Sequence, residues 1–520
     1  MNSNQQKMMV EDLQRVDRYD PLPDRVELVQ THASWVFLAG DYVYKVKKPV
    51  DFGFLDFSSR SKRHFCCDEE LRLNRRLGGD YYLRVEKVVK RDNGYFFGGD
   101  GLVVDYAVVM RRLPESFLMR TLLAEDKLKP RQLEDLVTLL HTFYEQAKVF
   151  KDGRFGSREK VSFDVEENFS QTEVFINKTI LARDFKRISD FSREFLERKR
   201  KLFSRRVKGG FIREGHGDLH MEHICLPPDG PPVIYDCIEF NQRFRRLDVV
   251  NDLAFLAMDL EVNNRFDYAS LFLSYCREKL GPLFEPELLF FYKCYRAYVR
   301  GMVWSFISSD PALAESDREQ AQAKAGRYFM LATIYASPVP VGITLLAGIS
   351  GSGKSYLAKA LENLWQVKVL RSDVVRKELS GLAGQNAAAP FGEGIYTREM
   401  TVKTYNEMAK QAAAVIARGE SVTIDASNLK LADRQLFYDV AQAAGVPVRL
   451  VVCRAPLPVI EENLRKRTAA GTDASDADLS IVRQQRFKAP TCDELEAVTW
   501  VDIDTRHDLV EQLYCLVTHS

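Results

Sequence analysis

The chain has 520 residues, room for two to four domains at roughly 150 residues each. Its 46% hydrophobic and 28% charged residues exclude wholesale disorder. With 74 Lys+Arg against 73 Asp+Glu the net charge is +1, and residues 341–520 hold 21 basic and 22 acidic side chains, leaving 53 and 51 upstream. Neither part is a basic nucleic-acid module by bulk charge. No stretch reaches the ~18 consecutive apolar residues of a membrane-spanning helix. The N-terminus, MNSNQQKMMVEDLQ, lacks the apolar core of a secretory signal. The nine cysteines are scattered without CxxC spacing, which points to free thiols in a reducing cytoplasm. Without a secretory signal, the NFS and NKT triplets at Asn168 and Asn177 read as chance.

Residues 25–112 are rich in strand patterns. RVELVQTH, SWVFLAG and DYVYKVKK follow one another through short turns and predict an antiparallel meander. A charged helix comes next (SKRHFCCDEELRLNRRLG), then strands near 95–97 and 103–110. From 113 to 335 the pattern is mostly helical, broken by a loop-rich stretch at 209–247. This predicts a small β-rich lobe at about 25–112 and a larger helical lobe at about 113–335. The segment ASPVPVG then interrupts the helix, because its two prolines favour extended backbone. Residues 336–341 are therefore the expected linker. Beyond it, ITLLAG, VKVLRSD, SVTIDAS, VRLVVCR and VTWVDID alternate with helical segments. Short apolar strands alternating with helices predict an α/β domain over 342–520, with a parallel sheet covered on both faces.

Gly348-Ile-Ser350-Gly351-Ser352-Gly353-Lys354-Ser355 fits GxxxxGK[ST] between a predicted strand and a predicted helix. Glycines let the backbone wrap phosphates with its N–H groups inward, and the helix N-terminus adds partial positive charge. Lys354 would neutralise the β- and γ-phosphates of ATP, and Ser355 would ligate Mg²⁺. Asp373, at the carboxyl end of the next strand, faces the ligand crevice of a parallel sheet and could accept a hydroxyl proton. Alternatively, Ser372 or Asp373 simply caps the following helix. Arg376, one turn on, could hold the acceptor. Asp425 ends another apolar strand and is expected to orient Mg²⁺, directly or through Ser355, with Asn428 and Arg434 on the same crevice side. Arg465 and Arg467 offer either a basic lid over the phosphates or a solvated helix face.

GISGSGKS, SDVVRKEL, TIDASN and the late arginine-rich helix resemble a family of small P-loop kinases. That family includes polynucleotide 5′-kinases, gluconate-type kinases and zeta-type toxins. The resemblance implies phosphorylation of a hydroxyl group without naming the acceptor.

A second constellation lies upstream. His216-Gly217-Asp218-Leu219-His220 precedes His223, and the strand PPVIYD ends at Asp236. This resembles the catalytic and metal loops of the aminoglycoside phosphotransferase and protein-kinase-like superfamily. The resemblance implies Asp218 as catalytic base and Asp236 as a metal ligand, with Glu239 extending the cluster. It also implies Lys45 (or Lys47 on the same face) as the phosphate-pairing lysine, Glu70 (or Glu69) as its partner, and VVMRRLP at 108–114 as the hinge. Arg246, Asp248 and Asp252 would brace the loop. Two departures stand out. His223 occupies the place of a metal-binding Asn, although Mg²⁺ prefers oxygen donors. The turn THAS has no glycine where a nucleotide loop is expected. Of the three histidines, loop bracing is the favoured role over a zinc site. Arg296 and Arg300, four apart on one helix, would suit an anionic acceptor, unless that face is merely basic and solvated.

The whole chain resembles bacterial fusions of an aminoglycoside-phosphotransferase-like domain with a P-loop kinase. The expected architecture is multidomain: a two-lobed α+β kinase-like domain over 1–335, then an α/β P-loop domain. The expected activity is transfer of the ATP γ-phosphate, with Mg²⁺, to a small-molecule hydroxyl. Nucleic acid is a possible but disfavoured partner, so a 5′-end kinase is one alternative. A nucleotide-gated binding protein with an inactive kinase-like domain is the other. The sequence leaves the oligomeric state unknown.

Overall fold

The computed structural model describes residues 3–337, 339–382, 397–470, 479–491, 494 and 498–518; the side chains of 3, 466–470 and 479–481 lie outside that description. Two compact units divide the chain. One comprises Met1–Glu167, Phe195–Asp259 and Leu271–Arg296, the other Asn168–Glu194, Leu260–Ser270 and Ala297–Ser520.

The first unit is built on an antiparallel sheet of β1 (Val26–Gln30), β2 (Ser34–Ala39), β3 (Tyr42–Lys47), β4 (Tyr82–Arg91), β5 (Gly94–Phe97) and β6 (Leu102–Arg111). The spatial order is β1-β2-β3-β6-β4-β5. The expected meander holds for the first three strands, and β6 then inserts beside β3. Strand alternation sends Phe37, Tyr44, Val46, Val88 and Val109 into one core, closed by Met9 and Leu13 of the helix Ser3–Leu13. Lys45 and Lys47 consequently face the other side, toward the helix Arg60–Gly78. That helix starts at Ser59, whose hydroxyl accepts the Lys62 N–H at 3.2 Å. Its buried Arg63 meets Asp105 of β6 at 2.8 Å. The THAS turn needs no glycine because the Thr31 hydroxyl accepts the Ser34 N–H at 2.9 Å.

The helical part of this unit carries short strands that present the loop at 216–223. β7 (Val149–Phe150), β8 (Ile212–Glu214) and β11 (Arg246–Asp248) form one small sheet. β9 (Ile224–Cys225) and β10 (Val233–Ile234) form a hairpin between the loop and Asp236.

The second unit contains a five-stranded, all-parallel sheet of β12 (Ile343–Ala347), β13 (Lys368–Arg371), β14 (Val422–Asp425), β15 (Val448–Arg454) and β16 (Thr499–Asp504). Its order is β13-β14-β12-β15-β16. All five predicted strands are present. Ile343, Leu345 and Ala347 pack with Tyr405, Met408 and Phe437 from the helices Arg398–Ala417 and Leu431–Ala444. The helix Lys354–Trp365 is fixed at its outer side: Asn363 donates to the Phe266 carbonyl at 3.1 Å and Trp365 to the Ile334 carbonyl at 3.2 Å. The Tyr356 hydroxyl donates to the Asn264 carbonyl.

Among the described residues no helix is long and apolar enough to cross a membrane. The eight described cysteines are free thiols, and all but Cys515 are buried. Cys492 lies outside the described residues.

Candidate active sites

In the first unit the loop at 216–223 is over-determined by hydrogen bonds. Gly217 sits at φ +88°, and a Cβ there would lie 2.8 Å from the Phe244 carbonyl oxygen, so only glycine fits. The buried Asp252 accepts the N–H groups of His216 and Gly217 at 2.7 and 2.8 Å. Asp259 accepts that of Met221 at 3.0 Å. His216 uses both ring nitrogens: Nδ1 accepts the Asp218 N–H at 3.2 Å, and Nε2 donates to the Tyr235 carbonyl at 2.9 Å. Burial pushes its pKa down to about 3, so the ring is neutral. His216 is therefore a brace.

The loop presents Asp218, its carboxylate 3.3 Å from His220 Nε2. His223 stands between two carboxylates. Its Nδ1 lies 3.0 Å from the Asp218 carbonyl oxygen, and its Nε2 lies 3.6 Å from Asp236 Oδ2. Ligand-capable atoms of Asp218, His220 and His223 lie within 4.8 Å of one another. Asp236 itself adopts φ +63°, a left-handed conformation that costs a non-glycine residue energy and tends to mark functional positions. Its N–H donates to the Tyr82 hydroxyl at 3.2 Å.

Asp236 completes a charge network. Lys45 Nζ lies 2.6 Å from Asp236 and 3.0 Å from Glu70. Lys47 Nζ lies 2.6 Å from the other Glu70 oxygen and also contacts Glu239. Burial opposes the charge on Lys45, but Asp236 and Glu70 outweigh it and hold the lysine protonated well above its usual pKa. Burial likewise raises Asp236, and Lys45 reverses that, leaving its carboxyl well below the usual range. Lys45 keeps 17% side-chain exposure against 1% for Lys47, so Lys45 is the one open to a ligand. The partner is Glu70, because Glu69 is taken by Arg72 and Arg245 at 2.7 and 3.0 Å. Asp248 pairs with Arg206 at 2.7 Å, so the loop is held by Asp252 together with Asp259. Arg296 is buried, with Nε 2.6 Å from Asn251 Oδ1, so it presents no solvated basic face.

In the second unit the phosphate-type loop lies between β12 and the helix Lys354–Trp365. Gly348, Gly351 and Gly353 take φ of +142°, +80° and +93°. A Cβ at Gly348 would meet the Cys453 carbonyl oxygen at 2.5 Å, and one at Gly353 would overlap Thr505. Lys354 Nζ reaches back to the Ile349 carbonyl at 2.9 Å. Side chains distant in sequence clasp the loop. Gln485 accepts the Ser350 N–H at 2.7 Å, and Asn463 donates to the Gly351 carbonyl at 2.9 Å. Ile460 and Leu464 pack with Ile349. Among the described residues the buried Ser352 hydroxyl has no hydrogen-bond partner. A closed glycine cradle around an orphaned hydroxyl fits a phosphate.

Asp373 is the second residue of the helix Ser372–Leu379, whose N-cap is Arg371. Neither Ser372 nor Asp373 is the cap residue, and a carboxylate in the first turn is favoured by the helix dipole. Arg376 donates to the Thr401 hydroxyl at 3.1 Å. Asp425 ends β14 in register with Leu346 of β12, and its carboxylate lies 3.3 Å from Arg371 Nε. Asp373 and Asp425 thus follow the carboxyl ends of strands in the same sheet as the loop, the edge where open α/β sheets bind ligands. Asn428 donates to the Leu346 carbonyl at 2.7 Å, fixing the chain beside the loop. Arg434 is buried and paired with Glu494 at 2.9 Å, a structural role. Arg465 is 76% exposed and bonded to Glu462 at 2.7 Å. The Arg467 side chain lies outside the described residues.

Residues 343–490 match the family described as AAA domain. The C-terminal part is a P-loop domain. Over 460 residues the chain is 29% identical to uncharacterized proteins of Mycobacterium tuberculosis and Mycobacterium bovis, covering 86% of this chain and 88% of each relative. Among solved structures it is similar to the APS kinase of Mycobacterium tuberculosis in complex with AMPPNP and APS. That match is 21% identical with a TM-score of 0.27, over 35% of this chain and 100% of that one. It is also similar to choline kinase from Streptococcus pneumoniae, 15% identical with a TM-score of 0.39, over 63% of this chain and 99% of that one.

Sequence reasoning did not find the clasp made by Gln485, Asn463 and Thr505, which lie more than a hundred residues from the loop and carry no motif. Nor did it find that Lys47 and Glu239 form a second, interior pair. The period of two put Lys47 on the right face but does not say how deep it lies.

Proposed function

We propose that the chain is an ATP-dependent phosphotransferase with two kinase-type domains, 1–335 and 342–520, joined at 336–341. Each transfers the γ-phosphoryl group to a hydroxyl of a small-molecule acceptor. The observation that carries this reading is the closed glycine cradle at 348–353 with Lys354 beside it, in the same sheet whose strand ends lead into Asp373 and Asp425.

Bound ATP would supply the phosphoryl group, and in the C-terminal domain Mg²⁺ would neutralise its developing charge. In the C-terminal domain the loop N–H groups, Lys354 and Ser355 would hold the triphosphate and its metal, with Asp425 orienting that ion. Asp373 would take the proton of the acceptor hydroxyl as its oxygen bonds to the γ-phosphorus and the bond to ADP breaks. Arg376 would hold the acceptor, and Arg465 and Arg467 would cover the phosphates. In the N-terminal domain Lys45, steadied by Glu70, would meet phosphate oxygens, Asp236 would hold metal, and Asp218 would serve as base. Bulk charge favours small acceptors over nucleic acid, since a 5′-end kinase needs a basic channel.

The test is transfer of label from γ-labelled ATP into a small-molecule extract and into RNA. Lys354→Ala and Asp373→Asn should each abolish the C-terminal transfer, and Asp218→Asn the N-terminal one. Unchanged labelling in all three variants would refute the reading. One observation favours a second reading, in which the N-terminal domain binds nucleotide without chemistry: His223 stands where an oxygen donor serves Mg²⁺. Full activity in Asp218→Asn with ATP still bound would support it.

A further inference from the structure

We infer that the N-terminal cleft takes a divalent transition-metal ion of the Mn²⁺, Co²⁺ or Zn²⁺ class in preference to Mg²⁺, held by His223 Nε2 and Asp236 Oδ2. The inference rests on reading that cleft as a metal-assisted nucleotide site.

The donor atoms are set by their other contacts. His223 Nδ1 lies 3.0 Å from the Asp218 carbonyl oxygen. A carbonyl only accepts, so Nδ1 carries a proton, and the tautomer able to bind a metal keeps its lone pair on Nε2. That lone pair faces Asp236 Oδ2 at 3.6 Å, beyond hydrogen-bond distance. Two electron-rich atoms opposed at this spacing match two ligands of one ion, each about 2.0–2.2 Å from it. The other Asp236 oxygen is taken by Lys45 at 2.6 Å, which turns Oδ2 toward the histidine. The imidazole is held by the His220 ring, 4.0 Å away centroid to centroid, and by the Tyr235 ring at 5.7 Å. The backbone at Asp236 is held in a left-handed conformation. Both donors are therefore in place before any ion arrives.

The chemistry of this pair does not fit Mg²⁺. That ion takes an octahedron of oxygens and dehydrates reluctantly, whereas imidazole suits later first-row metals, whose affinity for nitrogen rises along the series to Cu²⁺. An asparagine at 223 would restore an oxygen donor.

The experiment is calorimetric titration of the full, tag-free chain with Mg²⁺, Mn²⁺, Co²⁺ or Zn²⁺ alone, without nucleotide, alongside the visible spectrum of the Co²⁺ form. Expected is tighter binding of Co²⁺ and Zn²⁺ than of Mg²⁺. His223→Asn should lower Co²⁺ and Zn²⁺ affinity by about tenfold or more, leave Mg²⁺ within about threefold, and change the Co²⁺ spectrum. His223→Gln, closer in size, must show the same selective loss and guards against misfolding. The inference is overturned if both variants keep Co²⁺ and Zn²⁺ affinity within about twofold, or if wild type binds Mg²⁺ as tightly as Co²⁺. It is equally overturned if only His220→Gln removes the ion, which would put the metal in the Asp218–His220 cluster. His223-dependent metal binding without phosphoryl transfer under any of the four ions keeps this site and removes the kinase reading of the cleft.

Discussion

At the scale of single residues, Lys45 and Lys47 differ in depth more than in chemistry. Lys47 is fully enclosed between Glu70 and Glu239 with the Phe57 ring 4.9 Å away, while Lys45 keeps 17% side-chain exposure. Removing one partner of a buried ion network leaves uncompensated charge, at a cost of about 3–5 kcal/mol. Lys47→Met should therefore lose about that much stability in urea denaturation, and Lys45→Met clearly less, since the exposed side of its site lets water solvate what remains. Equal losses would contradict the assignment of Lys47 as the interior member. His216 supplies a pH test. Its folded pKa, about 3, lies below the ordinary 6.5, so its contribution is complete above pH 6.5 and is lost as pH falls toward 3. The slope from this ring is at most about 1.4 kcal/mol per pH unit. His216→Gln should be less stable than wild type at neutral pH yet lose stability more gently between about pH 6 and about pH 4, as measured by urea denaturation at each pH. At this scale the resemblance of the 216–236 segment singled out Asp218 and Asp236, and strand alternation put Lys45 and Lys47 on one face. The sequence left Glu69 against Glu70 open, because two adjacent carboxylates differ only in helical phase. Here that phase turns Glu70 to the lysines and Glu69 to Arg72.

At the scale of elements, the loop at 348–353 depends on backbone shape more than on any side chain. Gly353→Ala places a methyl against Thr505 at a positive φ, so it should abolish ATP binding in equilibrium titration. Gly445, also at positive φ but with open space around it, caps the helix Leu431–Ala444. Gly445→Ala should cost about 1 kcal/mol of stability and leave ATP binding intact. Gln485→Ala removes the clasp on Ser350 and should weaken ATP binding by about tenfold, the equivalent of one hydrogen bond's ~1.4 kcal/mol. The C-terminal strands were legible because each is a short apolar run between helical patterns. β4 was not, since Arg84, Glu86, Lys87, Lys90 and Arg91 hide its alternation and register shifts interrupt its pairing with β6. The helix Ser3–Leu13 was missed for a related reason: among its described side chains only Met9 and Leu13 are buried.

At the scale of the molecule, the sequence conveyed a two-lobed α+β module followed by an α/β module but no strand order. Placing β6 between β3 and β4, or β12 between β14 and β15, depends on pairings tens of residues apart that no local pattern encodes. The consequence is functional. The central position of β12 sets its phosphate-type loop beside the strand ending at Asp425, and the pairing of β3 with β6 sets Lys45 over the helix bearing Glu70. Each module is thus proposed to hold its own nucleotide site. Equilibrium binding of a non-hydrolysable ATP analogue to the full chain tests it most directly. Two analogue molecules should bind per chain, one lost in Lys354→Ala and the other in Lys45→Met; undiminished binding in Lys354→Ala would rule out the C-terminal site.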